Sequence, residues 1–294
     1  MKASIIITTY DRPVFLERAV ASVLGQKTDF QFEIIIIDDN GLGSDPQKKT
    51  ESIIPKNLNI IYFPLKINSG ACKARNRGAE LAKGEFLFFL DDDDEFLPNK
   101  LHEQITFLEH NIEYDGCLAA FQRIGQNGNE ILADSNYPVV GDFKNFVLRG
   151  NFFTPMLCIR KISFFKSGGF IDIPRFQDRF YMMNALKQGF RFATLQKQLH
   201  IMYEHCEDRI TSKSLNQTKM AISQINAWVN QYLEEFSEAE CEEMKYNGLR
   251  TTAVTRYNAL SRIVRISSSI SFFKLFLIKK RKSDFLLIIK SLIK

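Results

Sequence analysis

Four carboxylates stand side by side at Asp91, Asp92, Asp93 and Asp94, immediately after the apolar run Phe86-Leu87-Phe88-Phe89-Leu90. Like charges packed this closely repel and titrate abnormally unless a cation neutralises them, so the run predicts a divalent metal. Hard oxygen donors suit Mg2+ or Mn2+. The competing reading is a solvated acidic loop. Position weighs against it, because the carboxylates end an apolar run instead of lying along a helix face. Two further apolar runs end in polar residues able to do chemistry: Asp38-Asp39-Asn40 after residues 34–37, and Thr8-Thr9-Tyr10-Asp11-Arg12 after residues 4–7. A phosphorelay receiver also gathers acids at strand ends. It needs one phospho-acceptor Asp and a later strand-end Lys, and neither feature is convincing here.

These ends form one site only if the apolar runs are strands of one sheet. The first hundred residues alternate apolar runs with helical patterns, which predicts βαβ units and a parallel sheet. Strands are expected at 4–9, 32–38, 58–63 and 85–90, each nearly continuously apolar, as strands covered on both faces should be. Helices are expected at 13–24, where Pro13 sits at the start, and at 69–82, between a Ser69 cap and Gly84. In such a sheet ligands bind beyond the carboxyl ends of the strands, where the three polar clusters fall. After Pro98 the pattern predicts a helix at 98–109 and a strand pair around Gln126-Asn127-Gly128-Asn129. Strands near 156–159 and 191–199 and long helices at 216–233 and 238–263 follow.

Four motifs in order resemble those of the family-2 inverting glycosyltransferases. They are Ser4-Ile5-Ile6-Ile7-Thr8-Thr9-Tyr10-Asp11-Arg12, then Ile37-Asp38-Asp39-Asn40, then Asn68-Ser69-Gly70 with Ala74-Arg75-Asn76, then Leu90-Asp91-Asp92-Asp93-Asp94 with Pro98. The resemblance covers residues 3–210 and implies an α/β GT-A fold, a Rossmann-like nucleotide-sugar-binding mixed sheet flanked by helices, with a helical C-terminal extension. It implies that Thr8, Tyr10 and Asp39 cradle the base of a UDP-sugar, Tyr10 by stacking and Asp39 by accepting an N–H. A turn aromatic packed on the next helix is the other reading of Tyr10. Arg12 and Arg75 face the nucleotide or its diphosphate, or are surface arginines. Asp91 touches ribose and metal, Asp93 holds the metal, Asp94 supports them, and Asp92, at the variable position, faces away.

The resemblance continues through Gly168-Gly169-Phe170 to Pro174-Arg175-Phe176-Gln177-Asp178. It assigns Asp178 as the base that deprotonates the acceptor hydroxyl. Gln177 replaces the more frequent Glu, so the role passes to Asp178 alone, and a helix N-cap is the alternative. His205, with Arg209-Ile210-Thr211, resembles an element that closes over the diphosphate. Otherwise it is structural or exposed.

The chain of 294 residues carries a net charge of +5, and its five cysteines form no C-x-x-C pair. Neither a disulfide framework nor a zinc site is indicated, and a reducing cytosol fits. Met1 and Lys2 lead straight into an apolar strand pattern, so no secretory leader is expected. Residues 270–294 hold seven Lys/Arg against one Asp, while the whole chain holds 39 against 34, so the basic excess lies entirely in this tail. Its apolar stretches fall short of the roughly 18–20 residues that span a bilayer. Bulky apolar residues beside a basic cluster predict an interfacial anchor on the cytoplasmic face of the membrane. A helix packed on the protein or in a dimer is the competing reading. The expected organisation is a catalytic domain at 1–212, with a nucleotide-binding half at 1–97 and an acceptor half at 98–212, a helical extension at 213–269, and the tail. With the resemblance, an anchor implies a saccharide acceptor on a polyprenyl diphosphate, in O-antigen or capsule assembly, with UDP-glucose or UDP-galactose as donor. No nucleic-acid partner is expected. The alternative is an inactive membrane-associated nucleotide-sugar-binding protein, which the intact Asp91, Asp93 and Asp178 oppose.

Overall fold

A computed structural model describes residues 1–204, 215–258, 271–278, 284, 286 and 287. The chain divides into two compact units. One comprises Met1–Asp172 with Gln177–Glu204, the other Ile173–Phe176 with His205–Lys294.

The first unit opens with β1 (Ala3–Thr9), α1 (Pro13–Leu24), β2 (Phe32–Asp38), α2 (Asp45–Ile53), β3 (Ile60–Pro64), α3 (Ala71–Leu81) and β4 (Phe86–Asp91). It continues with β5 (Glu95–Phe96), α4 (Lys100–His110), β6 (Gly116–Ile124), α5 (Phe143–Arg149), β7 (Leu157–Arg160), α6 (Lys161–Lys166), α7 (Gln177–Lys187) and β8 (Phe192–Tyr203). The strands make one sheet in the order β3-β2-β1-β4-β7-β6-β8-β5. Strands β1 to β4 pair in parallel, whereas β7 runs antiparallel to both β4 and β6, and β8 runs parallel to β6. From β1 the chain moves outward through β2 and β3, then returns to place β4 on the other side of β1. The strand order therefore reverses between β1 and β4, the place where open α/β sheets form their ligand crevice, beyond the carboxyl ends of the strands.

Alternate residues of these strands face opposite sides, and both sides are apolar because both are covered. Ile5, Ile7, Ile34, Ile36, Phe88 and Leu90 pack under α1 and α4 in one buried cluster. On the other face α3 lies directly on the sheet, and Gly78 permits this: a Cβ there would stand 2.4 Å from Ile6 Cγ2. A buried network fixes where β4 begins. Ser4 Oγ donates to Glu33 Oε1 at 2.6 Å, and the backbone N–H of Lys83 donates to the same oxygen at 2.6 Å. The Gly84 N–H in turn donates to Ser4 Oγ at 2.8 Å.

The strand pair expected around Gly128 forms only in part. β6 ends at Ile124, and beyond the turn a single bridge joins Ile124 to Glu130. β7 pairs only with Gly116–Leu118, and beyond it the returning chain makes the Ile131 N–H to Arg123 carbonyl bond at 2.7 Å but no continued ladder.

In the second unit α8 (Leu215–Val229) stops earlier than its pattern suggests. A 3-10 segment, Asn230–Glu235, follows, with Tyr232 outside helical geometry. α9 (Glu238–Asn258) carries a small apolar cluster of Tyr246 and Ala253 with Phe272 and Leu275.

Candidate active site

The crevice between β1 and β4 gathers the polar strand ends. Thr8 pairs in register with Asp91, and Thr9 with Asp38, so the three clusters lie side by side by strand pairing alone. Asp11 takes a positive φ of 54°, uncommon for a residue other than glycine. Its N–H donates to Asn40 Oδ1 at 2.8 Å, which joins the β1 and β2 ends.

The acidic run folds into a tight turn, in which the Asp94 N–H donates to the Asp91 carbonyl at 3.2 Å. This turn corrects the expectation for Asp92. The side chain does not face away: it is buried over the end of β1, where Thr9 Oγ1 donates to it at 2.7 Å. Burial, and then the adjacent Asp93, push its carboxyl up to about 7. Arg12 Nη1 lies 2.8 Å from Asp93 Oδ2 and 3.7 Å from Asp92 Oδ1, so Arg12 is drawn into the acidic turn. Asp94 is buried and accepts the Tyr203 N–H at 3.2 Å, which couples the turn to the end of β8.

Arg18 was not singled out by sequence reasoning. Its Nη2 donates to the Asp93 carbonyl at 2.8 Å, its Nε lies 3.0 Å from Glu95, and its guanidinium sits 3.9 Å above the Tyr203 ring. The Tyr203 hydroxyl closes the ring of contacts by donating to Glu95 at 2.7 Å. The available signal was a single basic residue in α1, the helix that starts at the site.

At the end of β2 the two carboxylates divide their work. Asp38 accepts from the Tyr62 hydroxyl at 2.6 Å and from the Asn40 N–H at 2.8 Å. Asp39 accepts the backbone N–H of Ser69 at 2.6 Å and of Gly70 at 2.8 Å, and so shapes the turn that starts α3. Burial raises the Asp39 carboxyl above its ordinary value, against the pull of those two N–H groups. Tyr10, 49% exposed, leaves a ring face open to solvent.

One turn into α3, Arg75 Nη2 reaches Asp91 Oδ1 at 2.6 Å and lies 5.5 Å from the centre of the Phe170 ring. Burial works against its charge, but Asp91, with Asp178 adding to it, holds the guanidinium firmly protonated. Asp178 stands in the first turn of α7, half-buried, and accepts the Arg179 N–H at 2.7 Å. Burial raises its carboxyl, with Arg75 opposing. A carboxyl raised toward neutral pH is a better base than a solvated one. Arg179 fixes the start of α7 by donating to the carbonyls of Val147 at 2.6 Å and Gly150 at 2.9 Å, at the end of α5.

The tertiary structure thus pairs Asp91 with Arg75 and Asp93 with Arg12, puts Asp178 close enough to bear on the charge of Arg75, and sets Thr8 and Asp39 on the adjoining strand ends. His205 lies outside the described residues. Among the described residues, no three His, Cys, Asp or Glu side chains gather as a preformed metal cage. Mg2+ and Mn2+ are commonly held by one or two carboxylates completed by substrate phosphates and water. Asp91 and Asp93 are hard-oxygen donors of that kind, and the Asp91 side chain is 36% exposed.

The fold, and parts of the sequence, are shared with known proteins. In a solved structure of TarS from S. aureus in complex with UDP-GlcNAc the fold is similar, with a TM-score of 0.60 at 20% identity, covering 99% of this chain and 79% of that one. The putative colanic acid biosynthesis glycosyl transferase WcaA of Escherichia coli is 37% identical over 36% of this chain and 37% of its own. The GalNAc(5)-diNAcBac-PP-undecaprenol beta-1,3-glucosyltransferase of Campylobacter jejuni is 41% identical over 34% of this chain and 32% of its own. The chain spans about a third of the length of these two relatives and about a fifth of several others. The family model for glycosyl transferase family 2 matches residues 4–177, from β1 to the first residue of α7. That span holds the β1 end, the acidic turn and Arg75 and stops one residue short of Asp178: the chain belongs to glycosyl transferase family 2, on a GT-A fold.

Proposed function

We propose that this protein is a glycosyltransferase that moves a hexose from a UDP-sugar, with inversion, to a saccharide acceptor on a polyprenyl diphosphate in surface-polysaccharide assembly. The observation that carries the reading is the 2.6 Å ion pair of Arg75 with Asp91 at the switch point, whose guanidinium also feels the charge of Asp178. The donor diphosphate and the acceptor base are thereby served from neighbouring strand and helix ends.

In this reading the exposed ring of Tyr10 stacks on uracil, and Thr8 lines the base. Each Asp39 oxygen, already accepting one backbone N–H, keeps a lone pair for a donor on the base edge. Arg12 and Arg75 place positive charge against the diphosphate. Asp91 and Asp93 hold Mg2+ or Mn2+, which when bound supplies Lewis-acid stabilisation of the departing nucleoside diphosphate. Asp178 takes the acceptor hydroxyl proton on the face opposite the leaving group, as single displacement with inversion requires. His205 is proposed to close over the diphosphate.

The acceptor class follows by analogy. The Campylobacter relative is named for transfer to an undecaprenol-linked saccharide and the Escherichia relative for colanic acid biosynthesis. In this reading the basic tail holds the enzyme at the inner face of the membrane, beside such an acceptor. A panel of UDP-sugars, with and without Mn2+ and with a soluble lipid-diphosphate saccharide analogue, tests the proposal. Transfer from one donor, with the product anomer inverted by NMR, is the expected result. Donor binding without turnover across the panel would instead identify an inactive nucleotide-sugar-binding protein.

A further inference from the structure

Residues 271–278 are helical, and their apolar side chains divide between two environments. Phe272 and Leu275 are buried against Tyr246 and Ala253 of α9. Asp284, the one acidic residue of the tail, is fully buried, accepting hydrogen bonds from the Tyr246 hydroxyl and from Arg250 Nε at 3.3 Å. By contrast, Phe273, Leu277, Ile278 and Leu286 are 53%, 60%, 58% and 55% exposed. The run Lys279-Lys280-Arg281-Lys282 directly follows the exposed pair Leu277-Ile278 in sequence.

Four bulky apolar side chains left in water within so short a stretch mark an interaction surface. Its charge selects the occupant. In a two-fold dimer the same patch meets itself, which would press one basic run against another. An anionic lipid surface complements both parts, since it takes the apolar side chains into the acyl boundary and attracts the lysines and arginine. The tail's acid does not oppose this, because it is already neutralised on Arg250.

We infer that the tail binds anionic membrane through Phe273, Leu277, Ile278 and Leu286 while its other face stays packed on α9. This rests on the membrane-linked reading above and narrows it: Phe272 and Leu275 belong to the protein core, and insertion is confined to the outer face. The helix of residues 271–278, fastened to α9, arrives already ordered, so the lipid need not fold it.

The test uses the full chain and vesicles of phosphatidylcholine, alone or mixed with phosphatidylglycerol. Wild type should co-sediment with the mixed vesicles and release as NaCl rises. The triple variant Phe273→Ser/Leu277→Ser/Ile278→Ser should lose binding by about tenfold or more with an unchanged melting temperature, since these side chains leave no cavity behind. Lys279→Gln/Lys280→Gln should lose only the part that depends on phosphatidylglycerol. As a fold-independent readout, Leu277→Trp should shift its fluorescence to the blue on mixing with vesicles. Failure of wild type to bind mixed vesicles, equal binding by the triple variant, or an unshifted Leu277→Trp spectrum would overturn the inference. So would light scattering that shows a wild-type dimer dissociated by the triple variant, because a second copy would then cover the patch. Vesicle binding is read without donor, and UDP-sugar turnover is read without vesicles, so this inference and the catalytic reading can fail separately.

Discussion

Asp91, Asp93 and Asp178 carry different parts of the proposed reaction, and their contacts suggest how to separate them. Asp91 and Asp93 each face an arginine, Arg75 and Arg12. On the proposed reading, replacing either carboxylate would remove a metal donor and unbalance the charge clamp on the diphosphate. Asp91→Asn or Asp93→Asn should therefore lower turnover by about 10²-fold or more, the scale for losing a preorganised electrostatic stabiliser. Full activity of both variants, or of wild type in EDTA, would remove the metal from the proposal. In the proposed reaction Asp178 acts on the acceptor and not on the donor. In Asp178→Asn, donor affinity by calorimetry should stay within about twofold while transfer collapses. Loss of both together would reassign Asp178 to donor binding.

At the scale of elements, the acidic turn is held from outside by α1, β5 and β8. Arg18 grips the Asp93 carbonyl and Glu95 and stacks on Tyr203, and β8 in turn is tied to Asp94. Small displacements of a preorganised site are costly in rate. Arg18→Met keeps the apolar stem and should weaken donor binding by about tenfold, while changing stability by only about 1 kcal/mol. Unchanged donor affinity would make the clamp purely structural. A second element carries a pH signature. Lys100, at the start of α4, is fully buried, donates to Gln104 Oε1 at 2.6 Å, and is surrounded by Cys117, Cys158 and His200. Burial lowers its ammonium to about 7. The folded state then binds fewer protons than the unfolded chain between about 7 and 10.5, so stability rises with pH across that window and is lowest below it. Lys100→Met should raise the melting temperature at pH 6 by more than at pH 10. An equal gain at both values would mean that the lysine is already neutralised by a partner.

For the whole molecule, the tail belongs to the second unit as much as to any partner. Deleting residues 270–294 would uncover Tyr246 and Ala253 and leave Arg250 without its carboxylate. The truncated chain should lose thermal stability in that unit, and Asp284→Ala alone should cost about 1–2 kcal/mol, since it leaves the buried Tyr246 hydroxyl unpaired while Arg250 can turn to water. A deletion that melts like wild type would show that the packing contributes nothing. For this reason the membrane test rests on exposed side chains.

The sequence by itself determined the parallel half of the sheet, because continuous Ile and Phe runs that end in polar residues have few other ways to be buried. It determined the acidic turn as well, since strand pairing places Thr8 beside Asp91 without help from distant packing. The helix start at Pro13 was legible from Pro chemistry, whereas the expected Ser69 cap is not made: α3 starts after Gly70, whose φ of 84° turns the chain, and no side chain caps it. The direction of Asp92 was not legible, because alternation ends where the strand does and the turn decides which side chain goes inward. Arg18 and Tyr203 were hidden for another reason: nothing local records that α1 and the end of β8 meet over the same loop. Beyond Gly128 the returning chain bonds to the end of β6 only through Arg123, Ile124 and Gly125, a length of pairing that the turn residues alone do not record. The tail divides in the same way. Its composition announced an apolar and basic segment, but only packing on α9 decided that Phe272 and Leu275 turn inward while Phe273, Leu277 and Ile278 stay in water.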